Sequence, residues 1–563
     1  MEKLSTYTLK SMIERSFQYF ATRPALSNAD GEPITYADLQ EQIKALQVMM
    51  TDLGISKGDR VALLSQNMPN WGIAYLAIAT MGAVAVPILI DFHVNEILQI
   101  LKHSGAKLVF VSSAQYEKIA YADLEPFPLL ISMDNFEPIE AHTPKDKISG
   151  FIYEQGVQLT KLKNKALKAT GLKSFEVRED DLAAIIYTSG TTGSSKGVML
   201  SHKNIVYDAH ITMGIQKMDE YDRLISVLPL PHTYEFTIGF VIPMMQGACV
   251  YYLDKPPTAR VLIPAVQKIK PTMLLTVPLI IEKIFKLQIH PQLTGNIIFR
   301  ELYKLPPTRK LLHKVAGKKL HKTFGGKLHF FGIGGALLSE EVERFLFEAG
   351  FPYAIGYGLT ETSPLIAGCS PFVVKFRSTG TVLDTLKVRI HNPDPKTGIG
   401  EIQVKGDTVM LGYYKDKQRT DEVFTKDGYF KTGDLGILKK NNYLYIKGRI
   451  KNVIIAATGE NIYPEEIEAK INEDENVLES LVYESAGQII ARVFLNYEIL
   501  DKIHGIAKMG GVDSEKLIQK ILNDIKTHVN NNVAAFSRIH KIVEQKEPFE
   551  KTPTQKIKRF LYQ

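Results

Sequence analysis

The chain reads Leu182-Ala-Ala-Ile-Ile-Tyr-Thr-Ser-Gly-Thr-Thr-Gly-Ser-Ser-Lys-Gly197 through its most distinctive stretch. The apolar beginning predicts a buried strand, and the glycines, serines and threonines that follow predict a flexible polar loop. Backbone N–H groups and hydroxyls in such a loop can surround polyphosphate oxygens, and Lys196 can neutralise their charge. It is not a Walker A loop, because its lysine precedes a glycine. Alone, such a stretch is more often a surface loop, so the rest of the chain must decide.

Length and composition indicate an ordinary globular protein. The 563 residues predict at least two domains, and 45% hydrophobic with 23% charged residues is typical of globular chains. The net charge of +7 is modest, and no compact basic motif is interleaved with aromatics, so no nucleic-acid partner is expected. Two cysteines, Cys249 and Cys369, give neither a disulfide framework nor metal-ligand spacing, which favours a cytoplasmic location.

Three features of the sequence bear on membrane association. The first residues contain no apolar core of the signal-peptide type. Ile73–Ile90 lacks charge, but Gly82 and Pro87 interrupt it, so it predicts a buried helix, a turn and a buried strand rather than a membrane span. Lys161–Lys173 and Lys286–Lys327 are rich in lysine, which permits peripheral contact with anionic lipid.

The first two thirds of the chain alternate between helical and strand patterns. Thr35 and Asp38 form a capping pattern before an amphipathic helix that Gly54 ends. Strands are predicted at Val61–Leu64, Lys107–Ser112, Ala183–Tyr187, Leu224–Leu228, Ala248–Tyr252 and Lys327–Ile333. This alternation predicts α/β layers with mostly parallel strands.

The pattern of predicted helices and strands changes near residue 380. Short strands joined by turns, at Val388–Ile390, Gly400–Lys405 and Tyr443–Lys447, predict an antiparallel β section. A helix at Pro464–Ile471 and strands at Leu478–Tyr483 and Ile489–Leu495 follow. We therefore expect a large N-terminal α/β domain of several subdomains with a β section (residues 1–448), a hinge (449–452) and a small mobile α+β C-terminal domain (453–563).

Six further motifs follow the loop in order along the chain. They are Leu228-Pro-Leu-Pro-His-Thr-Tyr-Glu-Phe236, Gly332-Ile-Gly-Gly-Ala336, Tyr353-Ala-Ile-Gly-Tyr-Gly-Leu-Thr-Glu-Thr-Ser-Pro364, Thr432-Gly-Asp434, Gly448-Arg-Ile-Lys451 with Thr458-Gly-Glu-Asn461, and Lys551-Thr-Pro-Thr-Gln-Lys556. In this order and spacing the chain resembles the adenylate-forming (AMP-binding) superfamily of acyl-CoA synthetases, luciferases and peptide-synthetase adenylation domains. It is most similar to long-chain fatty acyl-CoA synthetases, over about residues 10 to 560.

The resemblance implies a nucleotide site. The β- and γ-phosphates of ATP would bind the loop of Thr188, Ser189, Gly190, Thr191, Thr192, Gly193 and Lys196. Glu361 would bind Mg²⁺, for which a hard oxygen ligand is suitable, and Thr360 would contact the α-phosphate. The adenine pocket would consist of Gly334, Gly335, Ala336, Gly356, Tyr357 and Gly358. Asp434 and Arg449 would bind the ribose. Ser195 replaces a proline that is common in the family, which changes loop stiffness.

The resemblance also implies two reaction steps. Lys556 would stabilise the charge that develops at the α-phosphate during formation of acyl-AMP, although Gln555 replaces the usual glycine and Lys558 is an alternative. The C-terminal domain would then swing about Lys451, and Gly459 would line the channel for the thiol arm of coenzyme A. His232 would lie at the junction of acyl group and adenylate. The small Gly239, with Phe240–Met245, motivates the hypothesis of a tunnel for a long chain.

The leading expectation is therefore an ATP-dependent ligase that activates a medium- or long-chain fatty acid to acyl-AMP and then to acyl-CoA. Three alternatives remain open. The acyl group could pass to a carrier protein or another acceptor, the chemistry could be oxidative as in luciferases, or the chain could be a non-catalytic lipid or nucleotide sensor. The presence of Lys196, Glu361, Asp434, Arg449 and Lys556 argues against the sensor.

Overall fold

The computed structural model describes residues 4–122, 124–139, 175–188, 195–455, 460–552 and 556–563. The predicted Ser189, Gly190, Thr191, Thr192 and Gly193 of the phosphate loop, Gly459, and the lysine-rich stretch Lys161–Lys173 lie outside these ranges. Within the described ranges, no helix combines the length and apolar character that a bilayer crossing requires.

Two large, mostly parallel sheets confirm the α/β prediction. In spatial order, the first contains Tyr353–Ile355, Phe330–Ile333, Met273–Thr276, Arg223–Ser226, Cys249–Tyr252, Pro24–Asn28 and the antiparallel Ile34–Thr35. The second contains Gly412–Tyr413, Lys196–Ser201, Leu182–Thr188, Val84–Ile88, Arg60–Leu64, Leu108–Val111, Leu129–Ser132 and Pro138–Ile139. Lys196–Ser201 pairs antiparallel with both Gly412–Tyr413 and Leu182–Thr188. Leu182–Thr188 then pairs in parallel with Val84–Ile88.

Helices cover these sheets. In this part of the chain they are Leu9–Phe20, Tyr36–Asp52, Pro69–Thr80, Val94–Ser104, His202–Thr212, Tyr234–Val241 (a π-helix), Ile242–Gln246, Ala259–Ile269, Pro278–Ile284, Phe285–Ile289 (also π), His290–Thr294, Ile297–Lys304, Pro306–Thr323, Glu340–Ala349 and Lys417–Val423. The predicted capping box is present, because Thr35 accepts from the Asp38 N–H and the Asp38 carboxylate accepts from the Thr35 N–H.

The uncharged stretch Ile73–Ile90 forms the predicted buried helix, turn and strand. The helix Pro69–Thr80 and the strand Val84–Ile88 are buried, and Trp71 and Tyr75 stack in the largest hydrophobic core. A strand covered on both faces of a parallel sheet has no side that tolerates charge. The apolar run therefore reflects burial in the domain core.

The β section is antiparallel, as predicted. Its main sheet contains Lys387–His391, Gly400–Lys405, Phe430–Leu438 and Leu444–Arg449. A smaller sheet precedes it along the chain and contains Tyr357–Gly358, Leu365–Gly368 and Thr381–Val382.

The last part of the chain has a hydrophobic core of its own, built mainly from residues 462–539. Its helices are Pro464–Ile471, Tyr497–His504 and Gly511–Asn531, and its strands are Ile454–Ile455, Asn461–Ile462, Val477–Ser485, Gln488–Leu495 and Lys541–Gln545. A separate core is what an α+β C-terminal domain requires. The exact limits of the domains and the hinge at 449–452 stay predictions.

Candidate active site

The candidate site lies where several strands end. The strand Phe330–Ile333 leads into Gly334, Tyr353–Ile355 leads into Gly356, and Leu182–Thr188 leads into the loop that reaches Lys196. Ligands of open α/β sheets bind outside the carboxyl ends of such strands. The topology therefore gathers motifs that are up to about 180 residues apart at one edge of the molecule.

Lys196, Glu361 and Tyr413 form the central charged cluster. Lys196 donates hydrogen bonds to Oε1 of Glu361 and to the Tyr413 hydroxyl, both at 2.7 Å. The Tyr413 hydroxyl lies 2.9 Å from the same Glu361 oxygen. Burial raises the pKa of Glu361, but the Lys196 ammonium outweighs it and holds this pKa below its usual value. Glu361 is therefore a buried carboxylate that stays ionised.

Two hydroxyls beside Lys196 are buried without a hydrogen bond. Within the part of the chain that the structure describes, Thr188 Oγ1 and Ser195 Oγ have no partner. A buried hydroxyl without a partner is costly, so such groups indicate a ligand. With the adjacent ammonium, they fit a phosphate. Glu361, an ionised oxygen donor next to them, fits a Mg²⁺ ion that keeps most of its ligands from phosphate and water.

Tyr413 was missed by the sequence analysis. It lies in the two-residue strand Gly412–Tyr413, which pairs with Val198 and Met199 just beyond Lys196. No local pattern marks this pairing, because 217 residues separate Tyr413 from Lys196. Only a long-range register places its hydroxyl in the cluster.

A second cluster joins Asp434, Tyr357 and Arg449. The Tyr357 hydroxyl donates to Oδ2 of Asp434 at 2.8 Å, and Nε of Arg449 lies 3.1 Å from Oδ1. Asp434 and Arg449 are direct partners on neighbouring antiparallel strands. Burial raises the pKa of Asp434, and the Arg449 charge offsets only part of this effect. The structure therefore brings together three residues that the sequence analysis assigned to the nucleotide site, and their roles there stay predictions.

The predicted adenine segment consists of exposed turns next to packed glycines. Gly335 has φ +88°, a conformation that glycine adopts readily, and it is exposed with Ala336. A Cβ on Gly358 would meet the Pro364 carbonyl oxygen at 1.8 Å, so this glycine is required by the hairpin itself. Gly334 and Gly356 pack against Tyr234 and Leu365. Thr360 and Glu361 follow in the short 3₁₀ helix Thr360–Thr362.

Lys556 reaches these clusters from the last residues of the chain. A hairpin places it, since Lys551 pairs with Ile557 and the Thr552 N–H donates to the Lys556 carbonyl. Its ammonium interacts electrostatically with Glu361, Asp434 and Arg449, and with His232. The side chain keeps contact with solvent, yet partial desolvation in the cleft and then the Arg449 charge lower the pKa of Lys556 to about 8.

The neighbouring Lys558 lies elsewhere. Its Nζ is 3.6 Å from Oε2 of Glu550. The two candidate lysines thus have different surroundings, and Lys556 is the one whose ammonium interacts electrostatically with Glu361 and Asp434. Lys451, the proposed hinge residue, lies in the turn Ile450–Asn452 directly after Arg449.

His232 lies in the loop before the π-helix Tyr234–Val241. Desolvation and, secondarily, the Lys556 charge lower the pKa of His232 to about 4. Its imidazole is therefore neutral near pH 7. A buried network fixes this loop, because Asn67 donates to the Leu228 carbonyl and accepts from the Leu230 N–H.

An apolar cavity lies behind the glycine segments. It is lined by Thr212, Ile215, Gln216, Met218, Tyr234, Ile238, Ile242, Met273, Leu275, Phe330, Gly332, Ile333, Ala354, Ile355, Gly356, Leu365, Gly368 and Cys369. The centre of a water-sized sphere can occupy about 50 Å³ of it. That is several times the roughly 10–15 Å³ that one water needs.

Gly239, the expected tunnel residue, is not among the described residues that line this cavity. The helix presents Tyr234, Ile238 and Ile242 to it instead. Residues four apart share a helical face, so position 239 points elsewhere. A Cβ on Gly239 would lie 3.0 Å from the buried Glu235 carboxyl group. The residue that lines the cavity at this point of the helix is therefore Ile238 rather than Gly239.

Comparisons with known proteins identify the family of this chain. The family model "AMP-binding enzyme" matches residues 13–414. The "Long-chain-fatty-acid--CoA ligase heimdall" of Drosophila melanogaster is 28% identical and covers 83% of this chain and 73% of its own length. The "4-coumarate--CoA ligase 1" of Arabidopsis thaliana is 26% identical, and the match covers 98% of this chain and 91% of that protein's length. These relatives support an AMP-forming CoA ligase and leave the acid open.

Solved structures show the same fold. The anthranilate CoA ligase AuaEII in complex with anthranoyl-AMP superposes with a TM-score of 0.77 at 19% identity, covering 100% of this chain and 97% of its own. ATP-bound MatB from Rhodopseudomonas palustris gives a TM-score of 0.74 at 23% identity, covering 98% of both chains. At this level of identity, the likeness concerns the fold alone.

Proposed function

The chain belongs to the AMP-binding enzyme family, and from this we propose that it is an AMP-forming ligase that activates a medium- or long-chain fatty acid to its CoA thioester. One observation carries the proposal. Lys196, Glu361, Asp434, Arg449 and Lys556 come from five separate segments, and the fold brings them into one electrostatically coupled cleft. Such a convergence of three cations and two carboxylates suits a reaction between two anions.

The first step joins the acid to ATP. A carboxylate oxygen attacks the α-phosphorus, and the bond from that phosphorus to the β-bridging oxygen breaks, which releases pyrophosphate. Lys196, Thr188 and Ser195 would hold the outgoing phosphates. Lys556 would stabilise charge at the α-phosphate and the attacking carboxylate. Mg²⁺ held at Glu361 would supply positive charge to the phosphates.

The nucleotide would be held by the second cluster. Asp434 accepts a hydrogen bond from Tyr357, and the Arg449 charge favours its ionised form, so the ribose hydroxyls are suitable partners. Exposed turns at Gly335 and Ala336 offer backbone to the adenine ring. Tyr357 would form part of the pocket wall through its ring, with its hydroxyl fixed by Asp434.

The second step forms the thioester. The CoA sulfur attacks the acyl carbonyl carbon, the bond to the adenylate oxygen breaks, and AMP leaves. We propose that Lys556 occupies the cleft during the first step and that the C-terminal domain turns about Lys451 before the thiol enters. Gly459 would then line the thiol channel.

The apolar cavity supports a fatty acid. Its wall contains mainly aliphatic side chains with no charged residue among the described lining, and it begins at Gly356 beside the nucleotide segments. The flexible Met218 and Met273 can rearrange to admit a longer chain than the present space holds. His232, neutral at pH 7, would lie where the carboxyl group meets the adenylate.

A panel of acids tests the proposal. Straight-chain acids from short to long, and 4-coumarate and anthranilate as aromatic acids, are supplied with ATP, Mg²⁺ and CoA, and AMP, pyrophosphate and acyl-CoA are quantified. A maximum of kcat/KM among medium or long straight chains supports the fatty acid. A maximum with an aromatic acid would replace it. Acid-dependent pyrophosphate release without acyl-CoA would indicate a carrier protein or another acceptor.

A further inference from the structure

Two consecutive helices present large apolar side chains to solvent. None of the residues of Ile297–Lys304 is buried. Along this helix and Pro306–Thr323, the exposed fractions are Ile297 77%, Ile298 67%, Phe299 43%, Leu305 56%, Leu311 63% and Val315 64%. We call these six side chains and the lysines between them the 297–327 surface. So many large apolar side chains exposed along two consecutive helices indicate an interaction site.

The same surface is strongly basic. Residues 297–327 contain nine lysines and arginines and one acid, Glu301. Their net charge of +8 exceeds the +7 of the whole chain. Lys310, Lys314 and Lys318 are exposed beside Leu311 and Val315 at helical spacings of three and four. Basic and apolar side chains therefore share one outward face.

The opposite face of the longer helix is already packed. His313, Gly317 and Leu320 are buried, and a Cβ on Gly317 would lie 2.6 Å from Cβ of Ala349. Arg309 forms an ion pair with Glu348 at 2.8 Å. The helix Glu340–Ala349 thus fixes the orientation of Pro306–Thr323. Among the described residues, none covers the outward-facing side chains of the 297–327 surface.

We propose that the 297–327 surface binds the face of an anionic lipid bilayer. A helix with lysines beside large aliphatic side chains lies in the interface, where the apolar side chains enter the acyl boundary and the ammonium groups meet lipid phosphates. A second copy of this chain is disfavoured, because two-fold packing of the surface would bring like charges together. Nucleic acid is disfavoured by the solvent-facing isoleucines and leucines.

This inference does not depend on the proposed function. It uses none of the residues assigned to the cleft, and its readout is binding. If the proposed function holds, the surface has a further use, since long-chain acids partition into bilayers and would be collected there.

Flotation with lipid vesicles tests it. The full chain is mixed with vesicles of phosphatidylcholine alone, or of equal parts phosphatidylcholine and phosphatidylserine, at low and high salt. Two variants address the two components of the surface: Leu311→Ser/Val315→Ser and Lys310→Gln/Lys314→Gln/Lys318→Gln. The control is Val512→Ser/Lys516→Gln/Lys520→Gln, which removes the same residue types from the exposed face of the helix Gly511–Asn531.

We expect binding to anionic vesicles that high salt weakens. The triple glutamine variant should lose about a hundredfold in affinity, since each lysine near an anionic surface contributes about fivefold. The serine variant should lose at least about tenfold, because two aliphatic side chains leave the interface. The control should bind like wild type, and circular dichroism should show all variants folded. Absence of binding, equal binding to neutral vesicles, or equal loss in the control would overturn the proposal.

Discussion

Nζ of Lys196 lies 2.7 Å from Oε1 of Glu361, although 165 residues separate them in the sequence. The lysine comes from the phosphate loop and the glutamate from the segment proposed to bind Mg²⁺. The two charges neutralise each other, and the Glu361 side chain is buried while that of Lys196 is partly exposed. The ion pair therefore stabilises the ionised form of Glu361 in this site.

Tyr413 should matter because it fixes this pair. Tyr413→Phe keeps the ring and removes the hydroxyl that bonds both Lys196 and Glu361. A hydrogen bond to a charged group contributes about 1.5–3 kcal/mol, so we expect kcat/KM for ATP to fall about tenfold or more. Steady-state kinetics at saturating acid measures it. Tyr414→Phe, at the adjacent position outside the cluster, is the control, and equal rates in both variants would contradict the assignment.

The register that creates this contact explains a limit of sequence analysis. The capping box at Thr35 and the helix Pro464–Ile471 were predicted correctly, because their signals are local. Motif order also assigned Asp434, Tyr357 and Arg449 to the nucleotide site; the structure brings them together, and their roles stay predictions. Tyr413 was missed, since its two-residue strand is defined by pairing with Val198 and Met199 rather than by its own pattern.

Two other sequence predictions differ from the structure, each for a physical reason. The strand predicted from Lys327 begins at Phe330, because Lys327 is exposed and lies before the sheet edge. Gly239 was assigned to the tunnel for its small size, but which helix face meets a cavity depends on packing. The π-helical turn places Ile238 there and turns Gly239 toward Glu235.

The cavity wall offers a direct test of chain-length preference. Ile238→Phe should shift the preferred acid to a shorter chain, because added volume fills the cavity that Ile238 lines. Ile238→Ala should move it toward longer chains. Values of kcat/KM across straight-chain acids measure both. Gly239→Trp bears on the earlier hypothesis: if it shifts the preference while both Ile238 variants leave it unchanged, our placement of the wall is wrong.

The pH dependence of the first step should report on Lys556. Its pKa is lowered to about 8, so the ammonium is present below this pH and is lost as pH rises through it. Pyrophosphate release should therefore decline above about pH 8. In Lys556→Arg the cation persists to much higher pH, so whatever activity remains should lose this decline. A decline at the same pH in the arginine variant would mean that another group is titrating.

Contacts of Lys286 are expected to hold the C-terminal domain in place for the first step. Lys286 donates to the carbonyl of Asn472, and Nζ lies 3.2 Å from the carbonyl oxygen of Val477. Lys286→Met keeps an apolar side chain of similar length and removes these bonds. We expect pyrophosphate release to slow about tenfold or more, since a hydrogen bond from a charged group contributes about 1.5–3 kcal/mol and its loss shifts the domain equilibrium accordingly.

The second half-reaction provides the control for Lys286→Met. Formation of acyl-CoA from supplied acyl-AMP needs the other domain arrangement, so its rate should stay the same or rise. Lys283→Met, an exposed lysine on the same segment, should behave like wild type. Slowing of both half-reactions by the same factor would show that Lys286 serves stability alone.

The central claim is that one cleft activates an acid with ATP, using Lys556, and then passes the acyl group to CoA. The most direct measurement follows both half-reactions in Lys556→Ala and Lys558→Ala. We predict that Lys556→Ala loses about a hundredfold or more in acid-dependent pyrophosphate release and still converts supplied acyl-AMP and CoA to acyl-CoA, while Lys558→Ala retains both. Equal loss of both half-reactions in Lys556→Ala, or full pyrophosphate release in that variant, would contradict the account.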